Sequence, residues 1–259
     1  MIDTHCHLDV ARFDADRDAV LRRAWAAGLT GLVVPAIGPD AWEALLGWPA
    51  RDARVQVALG IHPQHLPQLP EADDAAHLAR LDALLESGVA LAVGECGLDG
   101  PSEAGAPMAR QLRVFDAHVQ LARRHRLPLL VHCYRAHPHL QRYLETAGVP
   151  EAGLLLHSYS GSAELTPRYA RLGCHFSFAG PLTFPEARRP LDALRKIPPE
   201  RLMVETDAPD QPPHPHRGER NEPAHLPLVI AAMERALERP LSAELHANTL
   251  RFFGRERWS

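Results

Sequence analysis

ALAVGECGLD, residues 90–99, carries four small or apolar residues into a glycine and an acid. It then runs through cysteine, glycine and leucine to a second acid. No alternation of apolar and polar residues marks a half-exposed strand here. A near-continuous apolar run of this length reads as a strand covered on both faces, the habit of parallel sheets. Working outward, comparable runs occupy 2–7, 31–36, 55–62, 128–134, 153–158, 174–179 and 202–207, which with 90–98 makes eight.

Helical patterns lie between them. The clearest spans 108–125, where Met108, Leu112, Phe115 and Val119 recur at helical spacing. Arg123, Arg124 and Arg126 crowd its C-terminal end, where cations complement the macrodipole, and Pro128 follows as a stop. Others are expected over 14–27, 72–86, 137–147, 162–172, 185–196, 223–238 and 242–253. A proline- and charge-rich loop, PDQPPHPHRGERNEP (209–223), follows the last strand. Strands alternating with helices along the whole chain predict a single (β/α)8 TIM barrel, one domain over residues 1–259. A doubly wound open sheet is the alternative, but no glycine fingerprint follows an early strand.

Hydrophobic residues make up 46% and charged residues 23%, enough for a large buried core. No basic segment leads into an apolar one at the start, and no run approaches a membrane span. The expectation is a cytoplasmic enzyme with no membrane contact and no obligate protein partner. A net charge of −4 offers no broad basic groove. Cys6, Cys96, Cys133 and Cys174 lack CxxC spacing and sit in apolar segments, so reduced, buried thiols are expected.

In a barrel the chemistry gathers at the C-terminal ends of the strands. Those ends read THCH (4–7), LGIHP (59–63), VGECGLD (93–99), LLVHCYRA (129–136), LLLHSYSG (154–161) and MVETDAP (203–209). A lone HxH is more often incidental than a ligand pair, but His5, His7, Glu95, His132, His157 and Asp207 recur at one kind of place. Imidazoles and carboxylates without thiolate suit Zn, Mn, Fe or Co better than an all-oxygen Mg or Ca cage. Six donors exceed one tetrahedral ion, and two ions need a bridge. The single lysine, Lys196, is not at a strand end, which leaves Glu95 as the bridging group. The assignment is His5, His7, Glu95 and Asp207 to one divalent cation, and Glu95, His132 and His157 to the other. Asp207 also serves as proton acceptor, and Glu205, two residues earlier, orients a ligand histidine from behind. His62 either contacts a substrate phosphate or hydrogen-bonds within the barrel.

At this point IDTHCHLD, LGIHP, GECGLD, LLVH, LHSYSGS, ETDAPD and RGERNEP resemble, in order and over nearly the whole chain, the TatD-type metal-dependent hydrolases. These are deoxyribonuclease-like members of the amidohydrolase superfamily. The resemblance implies a TIM barrel, two divalent cations (Zn, Mn, Mg, Fe or Co) on the six residues named, and hydrolysis of DNA phosphodiesters. Two departures touch the expected substrate pocket. Tyr134, with Arg135 beside it, stands where the family usually has arginine, and GPSEAGAP (100–107) lacks the usual aromatics.

The expected substrate is therefore a DNA end or single strand, held by His62, Tyr134 and Arg135, with Arg217 and Arg220 as further phosphate candidates. A small ester, lactone or amide on the same metals is the alternative. A metal-binding protein without turnover is a third reading, disfavoured because a closed structural site needs no proton acceptor such as Asp207.

Overall fold

The structure of the chain, a computed structural model, describes residues 1–258. Eight strands pair in sequence order, every neighbour parallel. They are β1 (Ile2–Asp3), β2 (Gly31–Pro35), β3 (Val55–Leu59), β4 (Ala92–Asp99), β5 (Leu129–Tyr134), β6 (Leu154–Leu156), β7 (Cys174–Phe178) and β8 (Leu202–Val204). The helices are α1 (Arg17–Ala26), α2 (Trp42–Leu46), α3 (Trp48–Arg51), α4 (Asp74–Leu85), α5 (Met108–His125), α6 (His137–Ala147), α7 (Thr166–Leu172), α8 (Arg188–Leu194), α9 (Leu226–Leu237) and α10 (Ser242–Phe253). The fold is the TIM barrel that the sequence predicts. None of the helices is long and apolar enough to cross a membrane.

The barrel closes between its first and last segments. Thr4 N–H donates to Val204 O at 3.2 Å, Asp207 N–H to His5 O at 2.9 Å, and His7 N–H to Ala208 O at 2.7 Å. Asp3 bolts this seam. Its buried carboxyl, pushed by burial up to about 8, accepts the Thr206 N–H at 3.0 Å, the Thr206 hydroxyl at 2.5 Å and the His5 N–H at 3.2 Å.

Alternation along the strands sorts the core into two layers. Leu32, Val34, Val57, Leu59, Leu129, Val131, Leu154, Leu156, Leu202 and Val204 pack in the large cluster shared with the helices. Val33, Ala58, Leu130, Leu155 and Met203 form a second cluster inside the barrel, with Phe252, Phe253 and Trp258 packed against it. The parity of the inner residues continues toward the C-terminal mouth. Ala58 leads to His62, Leu130 to His132, Leu155 to His157, and Met203 to Glu205 and Asp207.

Strand β4 breaks that parity. Its pairing with β5 shifts register between Val93 and Cys96, a bulge of the kind that re-aims a side chain. An unshifted strand continuing from Ala92 would aim Cys96 inward; the shift aims Glu95 instead. Glycines make room for it. A Cβ on Gly60 would meet the Gly94–Glu95 backbone at 2.6 Å, and one on Gly97 (φ +141°) would meet His132 O at 2.0 Å.

Strands 1, 3, 6 and 8 are shorter than their apolar runs because the final residues leave the ladder to form the mouth. The sequence pattern missed α2 and α3, where Gly47 and Pro49 divide a short apolar stretch. All four cysteines are free and buried.

Candidate metal centre

Six polar residues meet at the mouth around a seventh, the carboxylate of Glu95. Glu95 is fully buried. Its Oε2 lies 3.1 Å from His5 Nε2 and 3.2 Å from His7 Nε2. Its Oε1 lies 3.0 Å from His62 Nε2, 3.2 Å from His132 Nδ1 and 2.6 Å from His157 Nε2. One glutamate thus faces two separate groups of imidazoles, one through each oxygen. Asp207 joins from the seam, with Oδ1 3.8 Å from His5 Nε2 and 3.7 Å from His7 Nε2. The rings of His5 and His157 stack at 3.9 Å, so the two groups are in direct contact.

The outward nitrogens fix which ring atoms point inward. His7 Nδ1 lies 3.2 Å from Pro35 O, which can only accept, so Nδ1 keeps its proton and Nε2 is the nitrogen aimed inward. His132 Nε2 lies 3.0 Å from Asp99 Oδ2, so Nδ1 is the nitrogen aimed inward. His157 Nδ1 faces Glu205 Oε1 at 3.5 Å. Glu205 is itself held by the Ser177 hydroxyl and the Ser158 N–H, each at 2.5 Å. Backing of this type orients metal-binding imidazoles.

His62 differs. Its Nδ1 accepts the Gln64 N–H at 3.1 Å, so its proton sits on Nε2 and points at Glu95. Compact triads of donor atoms form from His5, His7 and Glu95, from His62, Glu95 and His132, and from His5, His157 and Glu205. In that tautomer His62 presents a proton rather than a lone pair toward Glu95, at 3.0 Å but outside hydrogen-bond alignment. None of these triads includes Asp207.

The electrostatics ask for positive charge. Burial opposes ionisation of Glu95, but the imidazoles of His157, His62 and His5 outweigh it and hold the carboxyl well below its ordinary range. Burial also opposes protonation of His7, yet Glu95 and Asp207 push it up to about 9. His157 is raised well above its ordinary value, against burial, by Glu95 and Glu205. Burial lowers His5 to about 4. In the protein alone that charge is supplied by protons on His7 and His157, at the same inward nitrogens that a metal ion would take in their place. The residues present therefore fit a divalent metal, and imidazole with carboxylate is a donor set for Zn, Mn, Fe or Co. The neighbouring thiols take no part. Cys6 Sγ points at Val33 O and Cys96 Sγ at Leu130 O.

Asp207 has a left-handed backbone, φ 56°, which sets its carboxyl over the cavity. Its Oδ2 accepts from the amide of Gln211, whose carbonyl accepts the Ser158 hydroxyl at 2.7 Å. Burial pushes Asp207 up to about 6, against the pull of His157 and His7.

The cavity above the cluster has a volume of about 710 Å³. Ile37, Tyr159, Phe178 and Leu182 give it an apolar wall, and Tyr134 and Arg189 lie on its lining. Arg135 does not line it but belongs to an adjoining hollow. Arg217 pairs with Glu186 and Arg220 with Asp16 and Glu222, and neither lines the cavity. Sequence reading passed over Asp99, Gln64, Gln211, Ser158 and Ser177 as supports. Only Asp99 carried a signal, as a second acid at the end of β4.

The comparisons agree with one another. A family model described as TatD related DNase matches residues 2–254. The metal-dependent hydrolase YjjV of Escherichia coli K12 is 34% identical over 234 residues, covering 90% of this chain and 88% of the relative. A protein named 3'-5' ssDNA/RNA exonuclease TatD, from Enterobacter lignolyticus, is 32% identical, with 89% of each chain covered. The crystal structure of the E. coli YjjV protein superposes with a TM-score of 0.89 at 32% identity, over 98% of this chain and 97% of that one.

Proposed function

We propose that this chain, which belongs to the TatD related DNase family of metal-dependent hydrolases, would hold two divalent cations, one on His5, His7, Glu95 and Asp207 and one on Glu95, His132 and His157, and cleaves phosphodiester bonds at single-stranded DNA ends. The observation that carries the two-ion reading is the two-sided carboxylate. Oε2 serves His5 and His7, with Asp207 nearby, and Oε1 serves His132 and His157. Relatives named as ssDNA/RNA exonucleases support the substrate.

Two bound cations would acidify a water and neutralise charge on the phosphoryl oxygens of an in-line displacement. The protein's own groups do the rest. Glu95 fixes the two imidazole sets relative to each other. Asp207, ionised at neutral pH and steadied by Gln211, accepts the proton of the attacking water. Asp99 and Glu205 keep His132 and His157 turned inward. His62, whose Nε2–H forms no hydrogen bond to Glu95, offers it from the cavity wall to a substrate oxygen. Tyr134 and Arg135 receive the strand as it leaves the mouth.

A second reading keeps the metals and changes the bond to a small ester, lactone or amide. Its support is a largely apolar wall and Arg189 as the sole lysine or arginine lining the cavity among the described residues. Metal-reconstituted protein offered labelled single-stranded DNA, bis-p-nitrophenyl phosphate and p-nitrophenyl carboxyl esters separates the two. Phosphodiester cleavage lost in Asp207→Asn is the expected result. Turnover of carboxyl esters alone moves the assignment to the second reading.

A further inference from the structure

The catalytic cavity has a neighbour. A hollow of about 380 Å³ lies beside it, lined by Pro101, Ser102, Gln111 and Arg135, and Gln64 and Tyr134 line both spaces. Tyr134 stands on the divide and is 51% exposed. Among the described residues the one other exposed large hydrophobic side chain, Leu228, is 36% exposed. An uncovered aromatic at the lip of a polar site is a platform awaiting a flat partner.

The platform is held rigidly. Tyr134 pairs with Asp99 in the β4–β5 ladder, and its carbonyl accepts the Gly100 N–H at 2.7 Å. Arg135 is left-handed at φ 52°, and its Cβ would lie 2.6 Å from any Cβ on Gly100. The loop after β4 therefore fixes where both side chains start.

The Asp99 and Gln111 side chains at the hollow are spent inside the protein. Asp99 Oδ2 accepts from Gln64 at 2.5 Å and faces His132. Gln111 accepts the Asp99 N–H at 2.7 Å and donates to Asp99 O and Ala106 O. What is left to offer is one aromatic face, one arginine, the Ser102 hydroxyl and the Gln64 carbonyl. Arg135 here, and Arg189 in the main cavity, stand outside every salt bridge among the described residues. A stacking face with one cation, and few free groups to read base edges, is the chemistry of base-tolerant single-strand binding.

We propose that the side hollow binds the second nucleotide of a single-stranded end, its base stacked on Tyr134 and its phosphate facing Arg135. This rests on the phosphodiester reading above and extends it. The substrate unit becomes two nucleotides, held without regard to base identity.

The test is fluorescence anisotropy of metal-loaded protein with labelled single-stranded oligothymidylate and oligoadenylate, both with phosphorothioate linkages to resist cleavage. Stacking of one base predicts that Tyr134→Ala weakens binding of both probes about fivefold or more, while Tyr134→Phe binds as the wild type does. Arg135→Gln should weaken both and reduce the dependence on salt. In parallel, the ratio of oligonucleotide to bis-p-nitrophenyl phosphate turnover should fall in Tyr134→Ala. Wild-type affinity in Tyr134→Ala, or no binding by the wild type, overturns the subsite. Binding that depends on Tyr134 without turnover of any phosphodiester leaves the subsite standing and overturns the catalytic reading instead.

Discussion

The backbone N–H of Asp207 donates to the carbonyl of His5 at 2.9 Å, so the hydrogen bonds that shut the barrel also set the site's first imidazole beside its last acid. Asp3, which touches none of the inward-facing nitrogens, holds this junction through Thr206 and the His5 N–H. The site and the sheet closure share one piece of scaffolding.

Asp3→Ala should therefore act on stability and on the site together. It strands two buried N–H groups and a hydroxyl, at about 3 kcal/mol or more in total. Urea denaturation should register that loss, and metal content should fall although no proposed ligand has changed. Wild-type stability in this variant would remove Asp3 from the closure.

Glu95→Ala removes the group common to both halves. Metal analysis of the purified variant should give a loss of more than one ion per chain relative to wild type. Retention of two ions would end the bridging assignment.

Asp99→Asn tests the support behind His132. The amide no longer offers a charged acceptor to Nε2, and loss of such backing typically costs 10–100-fold in metal affinity. Competition with a chromogenic chelator reads this directly. Unchanged affinity would make Asp99 a partner of Gln64 alone.

His118 makes a pH prediction away from the metal centre. Its Nδ1–H donates to Val114 O at 2.7 Å and its Nε2 accepts the Ile61 N–H at 3.0 Å, so the ring must be neutral. Burial lowers it to about 4. With the folded value depressed, its contribution is full above the unfolded value near 6.5 and is lost as pH falls toward 4. His118→Gln cannot titrate, so its stability gap to wild type should narrow by about 2 kcal/mol on going from neutral pH to pH 5. A gap constant with pH would show that His118 keeps its proton balance on unfolding.

The sequence carried the barrel and most of the gathering at its mouth, for a physical reason. Side chains alternate along a strand, so an apolar inner residue such as Leu130 or Leu155 fixes the direction of the histidine two places on. Glu95 was legible by type and position but not by direction, because the β4 bulge that turns it inward depends on how β4 registers against β5. Asp99 was missed for the same reason, since its facing follows from that of Glu95. The left-handed turn at Asp207 and the reach of Gln211 come from a proline-rich loop with no periodicity to read. The short helices at Trp42 and Trp48 were lost to a glycine and a proline that interrupt the pattern.

The seam between the first and last strands has a consequence for biosynthesis. His5 and His7 are made well before Asp207, yet their place beside it exists only after Ala208 has emerged and folded back. A chain interrupted short of Ala208 keeps an open sheet edge, with His5 and His7 apart from Asp207.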